Sequence, residues 1–225
     1  AIALCEEIIE RSGGNRFVQA MCLSRTAGLQ AMQGDAPEGR SSMARARAIL
    51  TDLGQALPLA HVTQEAGLVE LFADDPAAAE KEFGTGVAAL AAMGEQAYLA
   101  TSEALMARAV YDQQRYDEAF ELTERAEQTA GDDAAMKVEW GPTRARVLAR
   151  RGETDAAVTL ANEALAIASE PEDILSRGHA LEGLAETLER AGKDSEAAPH
   201  WKEALQLYET KGIAPLIERV KAHLT

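Results

Sequence analysis

Four histidines, two cysteines and a few clustered acids are the side chains in this 225-residue chain that could carry chemistry. His61, His179, His200 and His223 could shuttle protons or hold a metal, but they lie far apart. They form neither HExxH nor a pair one helical turn apart. Cys5 and Cys22 make no CxxC pair and no disulfide framework, which suits a reducing cytosol, and no metal site is expected. Gly84-Thr85-Gly86 has the GxG of a phosphate loop without the following Gly-Lys-Ser/Thr, and close packing of a helix accounts for it better. Asp74-Asp75 and Glu170-Pro171-Glu172-Asp173 could be cation ligands or acid–base pairs. At helix starts, however, acids cap exposed N–H groups and complement the dipole. No Ser or Cys stands with a His and an acid in a context that would activate it. The expectation is a non-enzymatic protein with no cofactor.

The elements that must carry these residues follow from composition. Alanine, the best helix former, occurs 46 times and glycine 17 times, whereas Phe, Trp and Tyr together make 4%. A β-sandwich or barrel is excluded and an all-α chain is expected. The net charge is −15, and residues 61–137 carry 16 acids against 5 bases. With no basic cluster to track a phosphate backbone, direct nucleic-acid binding is not expected. No apolar run reaches the ~18–20 residues of a membrane span, so no membrane partner is expected and the predicted location is cytoplasmic. The start, Ala1-Ile2-Ala3-Leu4-Cys5-Glu6-Glu7, has no initiator Met or signal peptide and opens in mid-helix, as a piece of a larger protein would.

Internal repetition organises the chain. Gly34-Asp35-Ala36-Pro37-Glu38-Gly39, Asp74-Asp75-Pro76-Ala77-Ala78-Ala79, Gln114-Arg115-Tyr116-Asp117-Glu118-Ala119, Gly152-Glu153-Thr154-Asp155-Ala156-Ala157 and Gly192-Lys193-Asp194-Ser195-Glu196-Ala197 each join a turn signal to a small anchor residue. The anchors recur every 38 to 40 residues. Twelve residues before them stand Ala27, Gly67, Ala107, Ala145 and Ala185, and seven after them Ala46, Gly86, Ala126, Ala164 and Ala204. Every one of these positions is Ala or Gly. Small residues on both arms of a helix hairpin let the axes approach closely, and the turn between them reverses the chain. Pro37, Pro58, Pro76, Pro171 and Pro215 fall at predicted first turns, while Gly141-Pro142 should make the first helix of the fourth repeat start late or kink. Trp140, Trp201 and Phe83 fall on apolar faces and are expected in the core.

This arrangement resembles tetratricopeptide (TPR) repeats, with Gln114-Arg115-Tyr116-Asp117-Glu118-Ala119 close to the TPR turn consensus. The resemblance implies a right-handed TPR-like solenoid of about twelve helices, one domain over residues 1–225. Residues 1–12 would be the second helix of a preceding repeat, five hairpins would cover about 15–211, and 213–225 would form a capping helix. The stretches Val147-Leu148-Ala149-Arg150-Arg151-Gly152-Glu153, Ala73-Asp74-Asp75-Pro76-Ala77-Ala78-Ala79-Glu80, Leu184-Ala185-Glu186-Thr187-Leu188-Glu189-Arg190-Ala191-Gly192 and Leu207-Tyr208-Glu209-Thr210-Lys211-Gly212 narrow it. They resemble the C-terminal TPR region of bacterial multidomain signalling proteins with an AAA-type ATPase module, often behind a class III adenylate/guanylate cyclase domain.

That resemblance implies a protein–protein interaction scaffold, a regulatory or sensor region binding a partner protein or its own upstream domains. The rival is the ligand-sensing or oligomerisation region of a bacterial ATPase-linked transcription regulator, and a homodimer is compatible with either. In such repeats the first helix of each hairpin lines the concave face. Helical offsets place Gln64, Leu68 and Phe72, then Arg108 and Tyr111, then Arg146 and Arg150, then His179, Glu182 and Glu186 along that groove. Arg108, Tyr111, Arg146 and Arg150 form a basic stretch in an acidic protein, and Arg and Tyr are over-represented among interface hot spots. The competing expectation pairs these arginines with facing acids such as Glu103, Glu139 or Glu182, holding the repeats in register. The Lys/Asn carboxylate clamp of chaperone-binding TPRs is not recognisable, so capture of a peptide C-terminus is not expected.

Overall fold

The five turn signals take the backbone conformation that a tight reversal between helices needs. In the computed structural model, Gly34, Gly152 and Gly192 have φ of 90°, 82° and 72°, and Asp74 and Gln114 occupy the same left-handed region at 57° and 65°. The following N–H then reaches back to close the last helical turn: Asp35 N to Gln30 O at 2.9 Å, Asp75 N to Glu70 O at 3.0 Å, Arg115 N to Val110 O at 3.2 Å, Glu153 N to Leu148 O at 3.0 Å, and Lys193 N to Leu188 O at 2.9 Å. This satisfies carbonyls that a helix end leaves without partners.

The structure describes residues 1–168 and 174–224, so Pro171 and the acids of 170–173 lie outside the described residues. Twelve α-helices fill the described chain: α1 (Ile2–Arg11), α2 (Arg16–Met32), α3 (Ala36–Asp52), α4 (Ala56–Phe72), α5 (Pro76–Met93), α6 (Ala97–Asp112), α7 (Tyr116–Ala130), α8 (Lys137–Arg150), α9 (Thr154–Ile167), α10 (Ile174–Arg190), α11 (Asp194–Lys211) and α12 (Ala214–Leu224). No strand occurs among the described residues. The fold class is all-α and TPR-like. The helices form two compact units, residues 1–98 and 99–225. In the first, α2 packs on α3 and α4, and α4 on α5. In the second, α8 packs on α7, α9 and α10, and α11 packs on α10 and α12.

Packing explains the small-residue columns. All fifteen Ala and Gly positions are buried, and each of the alanines is inaccessible to solvent. A Cβ on the anchor Gly39 would stand 2.8 Å from the carbonyl of Ala27, its partner twelve residues earlier. A Cβ on Gly67 would fall inside the ring of Phe83, and one on Gly86 would collide with Thr63 Oγ1. Gly84-Thr85-Gly86 therefore lies within α5, at its closest approach to α4. Trp140, Trp201 and Phe83 are all buried, as their faces required.

Pro142 has the predicted consequence. The first helices α2, α4, α6 and α10 have 16 or 17 residues, whereas α8 has 14 and is led in by a short 3-10 turn, Ala134–Met136. The helix starts late because Pro142 sits in its second turn and supplies no N–H. The two acids at 74 and 75 divide their work. Asp75 accepts from Ala78 N at 3.0 Å and caps α5, while Asp74 occupies the left-handed turn position.

Two substitutions test this geometry. Gly67→Ala should lower stability by about 1–3 kcal/mol, because Phe83 is fully enclosed and cannot yield. Gln114→Gly should raise it by about 0.5–1 kcal/mol, since glycine adopts the left-handed turn without a Cβ clash. Urea unfolding of the two variants beside the parent chain reads both.

Candidate functional site

The groove residues expected in the second unit converge. Arg108 and Tyr111 come from α6, Arg146 and Arg150 from α8, and His179, Glu182 and Glu186 from α10. Glu186 is the hub. It accepts from Tyr111 Oη at 2.5 Å, from Arg150 Nη2 at 3.2 Å and from Arg190 Nε at 3.2 Å, and its other oxygen lies 3.7 Å from Arg146 Nε. Arg150 Nε also donates to Tyr111 Oη at 2.8 Å, and its guanidinium lies 4.1 Å from the centre of the Tyr116 ring. One carboxylate thus ties α6, α8 and α10 together.

Glu182 anchors the other half. Tyr208 Oη from α11 donates to it at 2.5 Å, and Arg219 Nη2 from α12 reaches both its oxygens at 2.8 and 2.6 Å. Between the halves, Arg146 Nη2 donates to His179 Nδ1 at 3.1 Å, so the neutral imidazole carries its proton on Nε2. That Nε2 and Arg146 Nε are both buried with no hydrogen-bond partner among the described residues.

The charges respond to burial and to one another. Burial alone would raise Glu182, but Arg219, Arg108 and Arg146 hold it below the ordinary carboxylate value. Glu186 is likewise lowered, with Arg146, the Tyr111 hydroxyl and Arg150 overcoming its desolvation. Burial, with Glu186 beside it, pushes Tyr111 up to about 12. His179 is driven well below its usual value by burial and by the like charges of Arg108, Arg146 and Arg219. The arginines divide. Arg146, Arg150 and Arg219 are held above the ordinary value by their counter-charges, whereas in Arg108 burial and the Arg219 charge outweigh Asp112 and Glu182.

The arginines do pair with acids, but mostly with others than the sequence suggested. Arg146 and Arg150 use Glu186. Glu103 takes Arg125 at 2.7 Å and Thr129 at 2.8 Å, and Glu139 accepts from Ser176 at 3.0 Å. Gln64, Leu68 and Phe72 belong to the first unit, on α4. Gln64 and Phe72 are buried, Leu68 is half-buried, and Gln64 Nε2 donates to Tyr98 O at 2.9 Å. Sequence reasoning missed Tyr208, Arg190 and Arg219. Tyr208 lies on α11 and Arg219 on the expected capping helix, and only their pairing with Glu182 of α10 shows that both serve this cluster.

The remaining histidines are dispersed, whereas Cys5 and Cys22 lie within hydrogen-bonding reach of one another. In the first unit the His61 ring lies 4.5 Å from that of Tyr98, tilted by 51°, and burial lowers its pKa. His223 lies 4.1 Å from the Trp201 ring and 2.9 Å from Glu189, which also accepts from Trp201 Nε1 at 2.8 Å. These residues, with Glu186 and Arg190, line an open cavity of about 530 Å³ beside the cluster. Cys5 and Cys22 are buried free thiols, and desolvation raises that of Cys22. Among the described residues no group of three or more His, Cys, Asp or Glu could hold a metal ion, and no helix is long and apolar enough to cross a membrane.

No protein-family profile matches the chain, and no curated protein matches it. Solved structures do. BtubC (BKLC) from P. vanneervenii superposes with a TM-score of 0.64 at 14% identity, over 93% of this chain and 87% of that one. A candidate kinesin light chain from Podosopora anserina, with nearly identical TPR-like repeats, gives 0.55 at 18% identity, over 84% and 94%. NprR in complex with its cognate peptide NprX gives 0.70 at 14% identity, over 98% and 68%. At these identities the likeness is one of fold, and it is TPR-like throughout.

The neutral state of His179 makes stability depend on pH. Its folded pKa lies below the 6.5 of the unfolded chain, so below that pH the unfolded state takes a proton that the native state refuses. The contribution is complete above pH 6.5 and is lost as pH falls. Between pH 7 and 5.5 the parent should lose about 1 kcal/mol more than His179→Gln, measured by urea unfolding at each pH.

Proposed function

We propose that the chain is a non-enzymatic TPR-like interaction scaffold that binds an extended segment of a partner protein along the inner face of α6, α8 and α10. The observation that carries this reading is the convergence of Arg108, Tyr111, Arg146, Arg150, His179, Glu182 and Glu186 from three successive first helices into one polar cluster, in which Tyr111, Arg146, His179 and Glu182 are buried, Arg108 and Glu186 are half-buried and Arg150 is exposed at the edge. Ring faces beside guanidiniums, here Tyr111 and Tyr116 against Arg150, are the usual material of binding hot spots. NprR, whose fold is similar, was solved with a bound peptide, which supports an occupant of that kind.

In this reading residues 1–225 act as one TPR-like domain, with Gln64, Leu68 and Phe72 contributing to the same function and α12 closing its end. The partner is a separate protein or upstream domains of the same chain. Placement within a signalling ATPase or cyclase rests on the sequence resemblance alone.

The test is a pull-down from source-cell lysate with the parent chain, Arg150→Gln and Arg108→Gln, which remove the charge without setting a second carboxylate against Glu186 or Glu182. Arg146 is unsuitable, because removing that buried charge would leave Glu186 less compensated and unfold the cluster. A protein retained by the parent and lost by both folded variants is the expected result. Identical retention by all three would overturn the assignment of this surface. Retention of nothing by any of them would direct attention to an intramolecular partner.

A further inference from the structure

Five arginines reach the cluster, Arg108, Arg146, Arg150, Arg190 and Arg219, and they are set chiefly against three carboxylates, Glu182, Glu186 and Asp112. The chain as a whole carries −15, so this surplus of positive charge is local and against the trend. The carboxylates are also unevenly shared. Glu186 serves Arg146, Arg150 and Arg190, and Glu182 is engaged at both oxygens by Arg219 and at one by Tyr208. Arg108 is left with the remainder.

The donors tell the same story by an independent route. His179 Nε2, which carries the ring proton, and Arg146 Nε are both buried without an acceptor. Buried donors in native proteins are nearly always paired, and an unpaired one costs stability unless something completes it. Arg146 Nε still has the Glu186 carboxylate 3.7 Å away, whereas His179 Nε2 has no acid of its own, so with the half-buried guanidinium of Arg108 it makes a site that lacks one acceptor carrying negative charge.

Resting on the peptide-scaffold reading, we infer that this site receives the carboxylate of an Asp or Glu side chain of the bound segment, held by Arg108 on α6 beside His179 on α10 and Arg219 on α12. A carboxylate suits the place better than a polyphosphate. Glu182 and Glu186 border it, so a second or third negative charge would meet repulsion. An arginine fork matches a planar carboxylate with two parallel hydrogen bonds.

The probe is a pool of fluorescein-labelled, C-terminally amidated octapeptides with Glu or Asp fixed at one central position and random residues elsewhere. A matched pool carries Gln or Asn there, and a third carries the neutral centre with a free C-terminal carboxylate. Fluorescence anisotropy should show the acidic pool binding at least tenfold tighter than the matched pool. Arg108→Gln should remove that preference, and Arg11→Gln, an equal change of charge on the exposed surface of the first unit, should leave it intact. Equal binding of acidic and neutral pools overturns the carboxylate site while the scaffold reading stands, as does an unchanged preference in Arg108→Gln. Preference for the free C-terminus overturns the side-chain assignment. Binding of no pool overturns both, unless succinate raises the melting temperature of the parent and not of Arg108→Gln, in which case the anion site stands and the peptide reading falls. The comparison of pools on the parent chain needs no variant, so it remains decisive if Arg108→Gln fails to fold.

Discussion

Two helices can lie against each other at the shortest separation only where neither carries a bulky side chain at the crossing, and this contact is the one on which the rest of the molecule depends. The chain meets the condition three times in every repeat. Ala119 on α7 faces a surface that includes Ala107 of α6, and Ala126 further along α7 joins Ala104 and Trp140 in a second cluster. Alanine buries little apolar surface, so such a core gains close packing but less hydrophobic free energy per residue than one built from Leu and Phe. The connections between helices therefore lean on other terms. Arg40 with Glu70 and Arg47 with Glu82 in the first unit, and Arg144 with Glu127 in the second, link neighbouring helices. Those with an exposed partner contribute little each, and the buried carboxylates Glu103 and Glu182, with the half-buried Glu186, are the ones whose loss would be felt.

Close packing at a fixed spacing also decides which charges meet. Equivalent positions on successive first helices lie side by side, so a column of the repeat becomes a row across the surface. Eleven residues before their anchors stand Arg108, Arg146 and Glu186. In that row Arg146 finds Glu186 on one side and a like charge on the other. Arg108, lacking an acid at the equivalent place, is left to Asp112 and Glu182. The imbalance of the cluster is thus written in the register of the repeats and in two arginines falling at adjacent places of one row. His179 feels three guanidiniums for the same reason and can exist there only as the neutral ring.

How much of this was legible in the sequence depends on the range of the interaction. The turns were, because a left-handed residue needs Gly, or a residue such as Asp74 or Gln114 that bears the strain, within a few positions of an anchor. The columns were legible because they repeat. The gathering of Arg108, Tyr111, Arg146, Arg150, His179, Glu182 and Glu186 followed from helical offset alone. The partners did not. Which acid answers Arg146 depends on the tilt between α8 and α10, and a shift of one helical turn along α10 exchanges Glu182 for Glu186. Arg219 and Tyr208 come from helices whose sequences spell a cap and a core face, and nothing local marks the inward turn of their polar ends. Gln64 and Phe72 show the opposite limit. Their offsets match those of cluster members, yet burial on α4 turns the same positions to packing and to a hydrogen bond with the Tyr98 carbonyl.

The electrostatics set a condition on any occupant of the cluster. A charge of −15 spread over the surface repels an acidic chain at distances comparable to a Debye length, about 8 Å at physiological salt, while the arginine surplus acts over one or two residues. A strongly acidic segment would be turned away before it reached Arg108. A neutral or basic segment would be drawn in and would find an unanswered guanidinium at only one place. The combination favours a segment with a single acid in a neutral or basic context, because the long-range field governs approach and the local deficit governs retention. Selectivity of this kind needs both terms, and both are present in unit 2: the acids on its outward faces and the three that are too few for the arginines within.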